Sequence, residues 1–142
     1  KSYTGTTVIN NNAWHHVAYT YDGPGDTLNL YVDGGLELTA VSVNQALTGF
    51  TITDNINIGV DSSGTNFFTG KIDEVRIWGD ERSGAEIVGS KDNKIIESTP
   101  GLKAYYRFDQ KYGTVLYDLT SQNKDCDVNG PTWEISDAPV SD

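Results

Sequence analysis

Thr27-Leu28-Asn29-Leu30-Tyr31-Val32-Asp33-Gly34-Gly35-Leu36-Glu37-Leu38-Thr39-Ala40 is the stretch on which the fold class turns. Leu28, Leu30 and Val32 recur at every second residue, the period of a strand with one side buried. Leu36, Leu38 and Ala40 resume the alternation after Asp33-Gly34-Gly35. An Asp-Gly step suits the two positive φ angles of a type I′ turn, so residues 27 to 41 are predicted to form a β-hairpin.

Working outward, Trp14 to Tyr21 is apolar on both parities, which predicts a strand covered on two sides, and Asp22-Gly23-Pro24-Gly25-Asp26 ends it in a second hairpin turn. Ile56, Ile58 and Val60 are in phase, and Asp61 to Asn66 follows as a polar loop between strands. From Phe67 to Trp78 the apolar phase slips between Ile72 and Val75, and a bulge near Asp73 would reconcile the two. Only Ser83-Gly84-Ala85-Glu86 looks helical, with capping-box spacing ahead of about two turns, so one short helix is expected near 83 to 89. Residues 89 to 101 read as a long connection. Ala104, Tyr106 and Phe108 then alternate as a strand, with shorter pieces at Val115 to Leu119 and Trp133 to Ile135. The abundance of Gly, Thr and Asn agrees with strands joined by tight turns. The expected organisation is one domain over 1 to 136 and an exit linker over 137 to 142.

A formal charge of −10 with no Lys/Arg cluster argues against nucleic acid or an anionic membrane as partner. No run of eighteen apolar residues supports membrane insertion. The single Cys126 excludes an internal disulfide and any zinc site needing two thiolates.

Trp14-His15-His16-Val17-Ala18-Tyr19-Thr20-Tyr21-Asp22-Gly23, then Leu30-Tyr31-Val32-Asp33-Gly34, then Gly70-Lys71-Ile72-Asp73-Glu74-Val75-Arg76-Ile77-Trp78 stand in the order seen in laminin-G-like domains, and the chain resembles that family, in its bacterial form. Gly101 to Asp109, Tyr117-Asp118-Leu119 and Asn129 to Trp133 resemble a recurring element of bacterial members. The resemblance implies a concanavalin A-like jelly roll, all-β, with two antiparallel sheets face to face. In the family the Trp-to-Asp-Gly strand falls in the second half of the domain, whereas here it begins fourteen residues in. The usual first strands are therefore expected to be lacking, with residues 101 to 136 either closing the sandwich or opening a following repeat, and with neighbouring repeats or a partner chain able to complete the sheet.

The resemblance also implies a structural calcium ion held by carboxylate and carbonyl oxygens, with Asp73 as leading ligand and Asp109 as companion. The alternative for Asp73 is that it accepts backbone hydrogen bonds or pairs with Arg76. Pentraxin-like relatives hold calcium in the region of the 61 to 66 loop, so Asp61 and Asn66 are candidate ligand-binding residues, with an ordinary polar turn as the alternative. Phe67 and Tyr112 stand near turns and could present rings to a sugar. Asp118, Asp125 and Asp127 are expected to lie in a solvated loop.

Catalysis is not expected. Glycosidases need two carboxylates in one groove about 5–10 Å apart, whereas Asp73 and Glu74 are adjacent and would point to opposite faces. Adjacent His15 and His16 suit no shared metal, and Cys126 has no nearby His. The sequence therefore points to a non-catalytic extracellular or cell-surface module, recognising a glycan or an extracellular protein through its rim loops. The alternative is a structural spacer or assembly subunit without a small ligand.

Overall fold

The computed structural model of the chain describes residues 3–41, 56–61 and 63–141. The class is as expected: antiparallel sheets with one short helix, forming a small sandwich. The first sheet comprises β1 (Val17–Asp22), β2 (Thr27–Val32) and β3 (Gly35–Val41), in that order. Asp33 (φ 52°) and Gly34 (φ 84°) form the two-residue connection with both φ angles positive, the type I′ signature. Asp33 tolerates this backbone while its carboxylate accepts the His16 amide at 3.0 Å and meets His15 Nδ1 at 2.8 Å.

The register shifts between Leu30, opposite Leu38, and Tyr31, opposite Leu36, leaving Glu37 as the extra residue of a bulge. Its carboxylate accepts the amides of Thr6 and Thr7 at 2.6 and 3.0 Å and both of their hydroxyls, tying the N-terminal segment to β3. Those bonds, led by the Thr7 hydroxyl, hold Glu37 down to a pKa of about 2.

β1 differs from the expectation of two covered sides. Thr20 is buried and Ala18 half-buried, but Tyr19 is 75% exposed and Val17 is exposed as well. Cross-strand neighbours explain its apolar outer residues, since Val17 lies opposite Val32 and Tyr19 opposite Leu30. Tyr31, on the parity of Ala18 and Thr20, is covered where α1 (Gly84–Ser90) approaches: the Tyr31 ring lies against Gly84, and Val88 against Gly34. The capping box is present, with the Ser83 side chain accepting the Glu86 amide and Glu86 accepting the Ser83 amide at 2.9 Å.

β4 (Val75–Trp78) pairs antiparallel with β5 (Leu102–Tyr106), joining the residues after 101 to the motif strand that closes at Trp78. The phase slip near Asp73 is not a ladder bulge. It is a left-handed residue one position later, Glu74 (φ 54°), which redirects the chain so that Val75 and Ile77 pack on Ala104 and Tyr106. β5 ends at Tyr106 rather than running through Phe108, because Phe108 is also left-handed (φ 55°). Leu116 from β6 (Val115–Leu116) completes the buried cluster, and Cys126 from β7 (Cys126–Asp127) packs against it. Trp133 to Ile135 forms no strand; Trp133 instead packs on the core and donates from Nε1 to the Gly113 carbonyl at 2.7 Å.

The segment expected as an exit linker folds back on the domain. Asp137 accepts Trp14 Nε1 at 3.0 Å, Ser141 donates its amide to Asp92 at 2.9 Å, and its carbonyl accepts the Lys94 amide at 2.9 Å.

Candidate functional site

The site is built where β5 runs out. The left-handed turn at Phe108 swings Arg107, Asp109 and Gln110 out of the ladder and over the chain leaving β6. There Tyr117 and Leu119 project to one side and Asp118 to the other, the alternation of extended chain. Leu119 donates its amide to the Tyr105 carbonyl at 3.0 Å, which holds this segment beside β5. The result is an open cleft of about 250 Å³ walled by Arg107, Phe108, Asp109, Gln110, Tyr117 and Leu119. Tyr117 is 57% exposed, so its ring is available to a ligand. Arg107 Nη2 pairs with Asp109 Oδ2 at 2.8 Å, and the Gln110 amide donates to the Val115 carbonyl at 3.1 Å.

A second cleft, of about 180 Å³, shares Phe108, Asp109 and Gln110 and continues to Lys111, Glu134 and Ser136. The Ser136 hydroxyl donates to Asp73 Oδ2, and Asp73 Oδ1 accepts the Glu74 amide at 2.8 Å. Burial raises the Asp73 pKa, the charges of Glu74 and Asp109 raise it further, and the bonds from Ser136 and Glu74 oppose the rise. Of the two residues expected to hold calcium, Asp73 thus feels the charge of Asp109. Asp109 is at the same time held by Arg107. Among the described residues no group of three His, Cys, Asp or Glu side chains is arranged to hold a metal.

Behind the clefts, Arg76 pairs with Glu74 at 2.7 Å rather than with Asp73. Glu74 also accepts the Tyr105 hydroxyl at 2.6 Å and lies 3.7 Å from Arg107 Nε. Arg76 lies over the Tyr105 ring, 5.3 Å from its centroid, and donates to the carbonyls of Ser90 and Asn93. This network places the Glu74 carboxylate behind Arg107 and so behind the cleft wall.

Asp118 corrects another expectation, because it is buried rather than solvated. It accepts the amides of Tyr105 at 3.0 Å, Thr120 at 2.9 Å and Lys124 at 3.0 Å, together with the Thr120 hydroxyl at 2.9 Å. Its own amide donates to Asp125 at 2.9 Å.

Asp61 and Asn66 lie together in one loop, closed on itself. Asp61 accepts from the Ser63 amide and hydroxyl and from the Thr65 amide through Oδ1, and from Asn66 Nδ2 through Oδ2. The bonds from Asn66 and Ser63 hold its carboxyl well below the usual carboxylate range. Phe67 pairs with Val60 at the base of that loop and is exposed, and Tyr112 is 84% exposed; neither lines the two clefts. His15 bridges Asp33 and Asn11. His16 is partly buried, and that burial, with the charges of Arg76 and Lys91, lowers its pKa.

The residues that sequence reasoning did not select are Arg107, Gln110 and Tyr117. The signal available for Tyr117 was its place in Tyr117-Asp118-Leu119, an acid between two large apolar residues.

Residues 1–88 match the laminin-G-type family profile described as the concanavalin A-like lectin/glucanases superfamily, and the chain belongs to that family. Among solved structures it is similar to a protein from Bacteroides ovatus provisionally described as carbohydrate binding, at 26% identity and a TM-score of 0.70 over 97% of this chain. It is also similar to an S-layer domain-containing protein from Clostridium thermocellum, at 28% identity and a TM-score of 0.50 over 63% of this chain. The aligned part covers 40% of the first protein and 44% of the second. No curated protein matches the chain.

Proposed function

We propose that the chain is a non-catalytic glycan-binding module of an extracellular or cell-surface protein, with its ligand seated against Tyr117. The observation that carries this reading is an exposed tyrosine ring beside an Arg107–Asp109 pair and the Gln110 amide in one open cleft. Sugar C–H faces stack on such a ring, while hydroxyls need both donors and acceptors close by. The carbohydrate-binding description of the Bacteroides ovatus protein supports the same reading. Binding to a glycan array is the test. Tyr117→Ala should weaken binding to any retained glycan by roughly tenfold or more while leaving the melting temperature nearly unchanged, because the side chain is mostly exposed. An array blank for the unaltered chain would remove the reading.

A spacer or assembly role is the second reading. It is favoured by the exposed Val17 and Tyr19 on β1 and by the S-layer context of the Clostridium thermocellum protein. A blank array together with concentration-dependent association in sedimentation would support it.

Calcium belongs to this proposal at Asp73 and Asp109. A half-buried Asp73 carboxylate whose ionisation is opposed by burial and by the neighbouring charges of Glu74 and Asp109 is a setting that a hard cation relieves, with oxygen ligands to match. The Arg107 and Ser136 partners would then have to give way. Melting in calcium should exceed melting in a chelator by several degrees, and Asp73→Ala should abolish the difference. Equal melting in the two buffers would take the ion out of the proposal.

A further inference from the structure

Resting on the glycan-binding reading, we infer that the two clefts are subsites of one groove, and that its ligand is an uncharged oligosaccharide of at least two sugar units. The clefts share Phe108, Asp109 and Gln110 as a common wall, so a chain leaving the Tyr117 side passes Asp109 and enters the space beside Ile135 and Glu134. Neither space alone reaches the roughly 300 Å³ at which small-ligand sites begin, and joined across Asp109 they pass it.

The groove has an apolar surface at each end, Tyr117 with Leu119 on one side and the exposed Ile135 on the other, and a polar ridge between them. That is the alternation a sugar chain presents, with C–H faces on each ring and oxygens at the linkage. At the ridge, Asp109 offers Oδ2 to Arg107, and Oδ1 has no protein partner among the described residues. A linkage-flanking hydroxyl can therefore donate to Asp109 while a neighbouring oxygen accepts from Arg107.

Charge selects against acidic glycans. Arg107, Lys111 and the Lys71 that pairs with Glu134 are offset at the groove by Asp109, Glu134 and Asp137, and the rest of the chain brings the total to −10. In chelator, with no cation at Asp109, a uronate or sulfated chain would meet repulsion without a net cationic pocket to offset it.

The test is calorimetric titration of the full chain with methyl glucoside, methyl mannoside and methyl galactoside, with the matching neutral tetrasaccharides, and with tetragalacturonate. Amide chemical shifts are followed in parallel. The expected result is a neutral tetrasaccharide bound roughly tenfold or more tighter than its own monosaccharide, with shifts at both Leu119 and Ile135. Ile135→Ser should bring the tetrasaccharide back to the affinity of the monosaccharide, with unchanged melting as the control for folding. A tetrasaccharide no tighter than its monosaccharide, shifts confined to one end, or a preference for tetragalacturonate would overturn the two-subsite inference and leave glycan binding standing. Absence of binding to every saccharide would overturn both.

Discussion

Replacing Glu74 with alanine should lower folding stability by about 3–5 kcal/mol, the usual cost of stripping one partner from a buried ion pair. In a chain of this length that is a fall of roughly 10–15 °C in melting temperature. The Glu74 and Arg76 side chains are only 11% and 8% exposed, so water cannot take over when the carboxylate is removed. Tyr105, fully buried, would lose its hydroxyl partner in the same step, and Arg107 its nearest carboxylate behind the cleft. Glu74 also holds a left-handed backbone, so two effects must be separated. Glu74→Gly should be less harmful than Glu74→Ala by about 1 kcal/mol, because glycine adopts that backbone freely. Adding Arg76→Met to Glu74→Ala should recover part of the loss, since it removes the stranded charge. A double variant no more stable than Glu74→Ala alone would show that charge pairing is not what Glu74 supplies.

Asp118→Ala should cost about 3–4 kcal/mol, measured by denaturant titration, because one buried carboxylate serves four donors and each left unmet carries its own penalty. Burial pushes Asp118 upward, but the bonds from Lys124, Thr120 and Tyr105 together outweigh it and hold the group below its ordinary value of 3.8. A carboxyl depressed by folding contributes stability that is fully present above the unfolded value and is lost as pH falls through the folded one. The gap between the unaltered chain and Asp118→Asn should therefore be widest near neutral pH and narrow below about pH 4. A gap independent of pH would mean that the ionised form is not what the loop grips.

What could be read from the sequence was local. The β2–β3 hairpin followed from alternation and an Asp-Gly step, and the helix start from Ser83 and Glu86, because each signal lies within a few residues of the structure it dictates. The irregularity near Asp73 was visible as a slip in phase, but alternation cannot say what form it takes, and it is a left-handed Glu74 rather than a bulge. β7 was not foreseen because a two-residue strand has no period to detect. Of the expected calcium residues, Asp109 lines both clefts and Asp73 lies behind the second through its bond from Ser136. The two clefts beside Asp109 could not be foreseen, since they join residues 107–111 with Tyr117, Leu119 and residues 134–136 across turns that include one left-handed phenylalanine. Asp118 was misjudged because an acid beside Leu119 and Thr120 looks solvated until the β5 backbone is placed next to it.

The return of residues 137–141 onto the Asp92–Lys94 turn has a mechanical meaning. Tension arriving at Ser141 is carried first by two backbone bonds at Asp92 and Lys94 and by the Ser141 hydroxyl on Asn93. That seam is far shorter than the β4–β5 ladder behind it. It would act as a fuse, letting slack run out under load before the sheets themselves are strained.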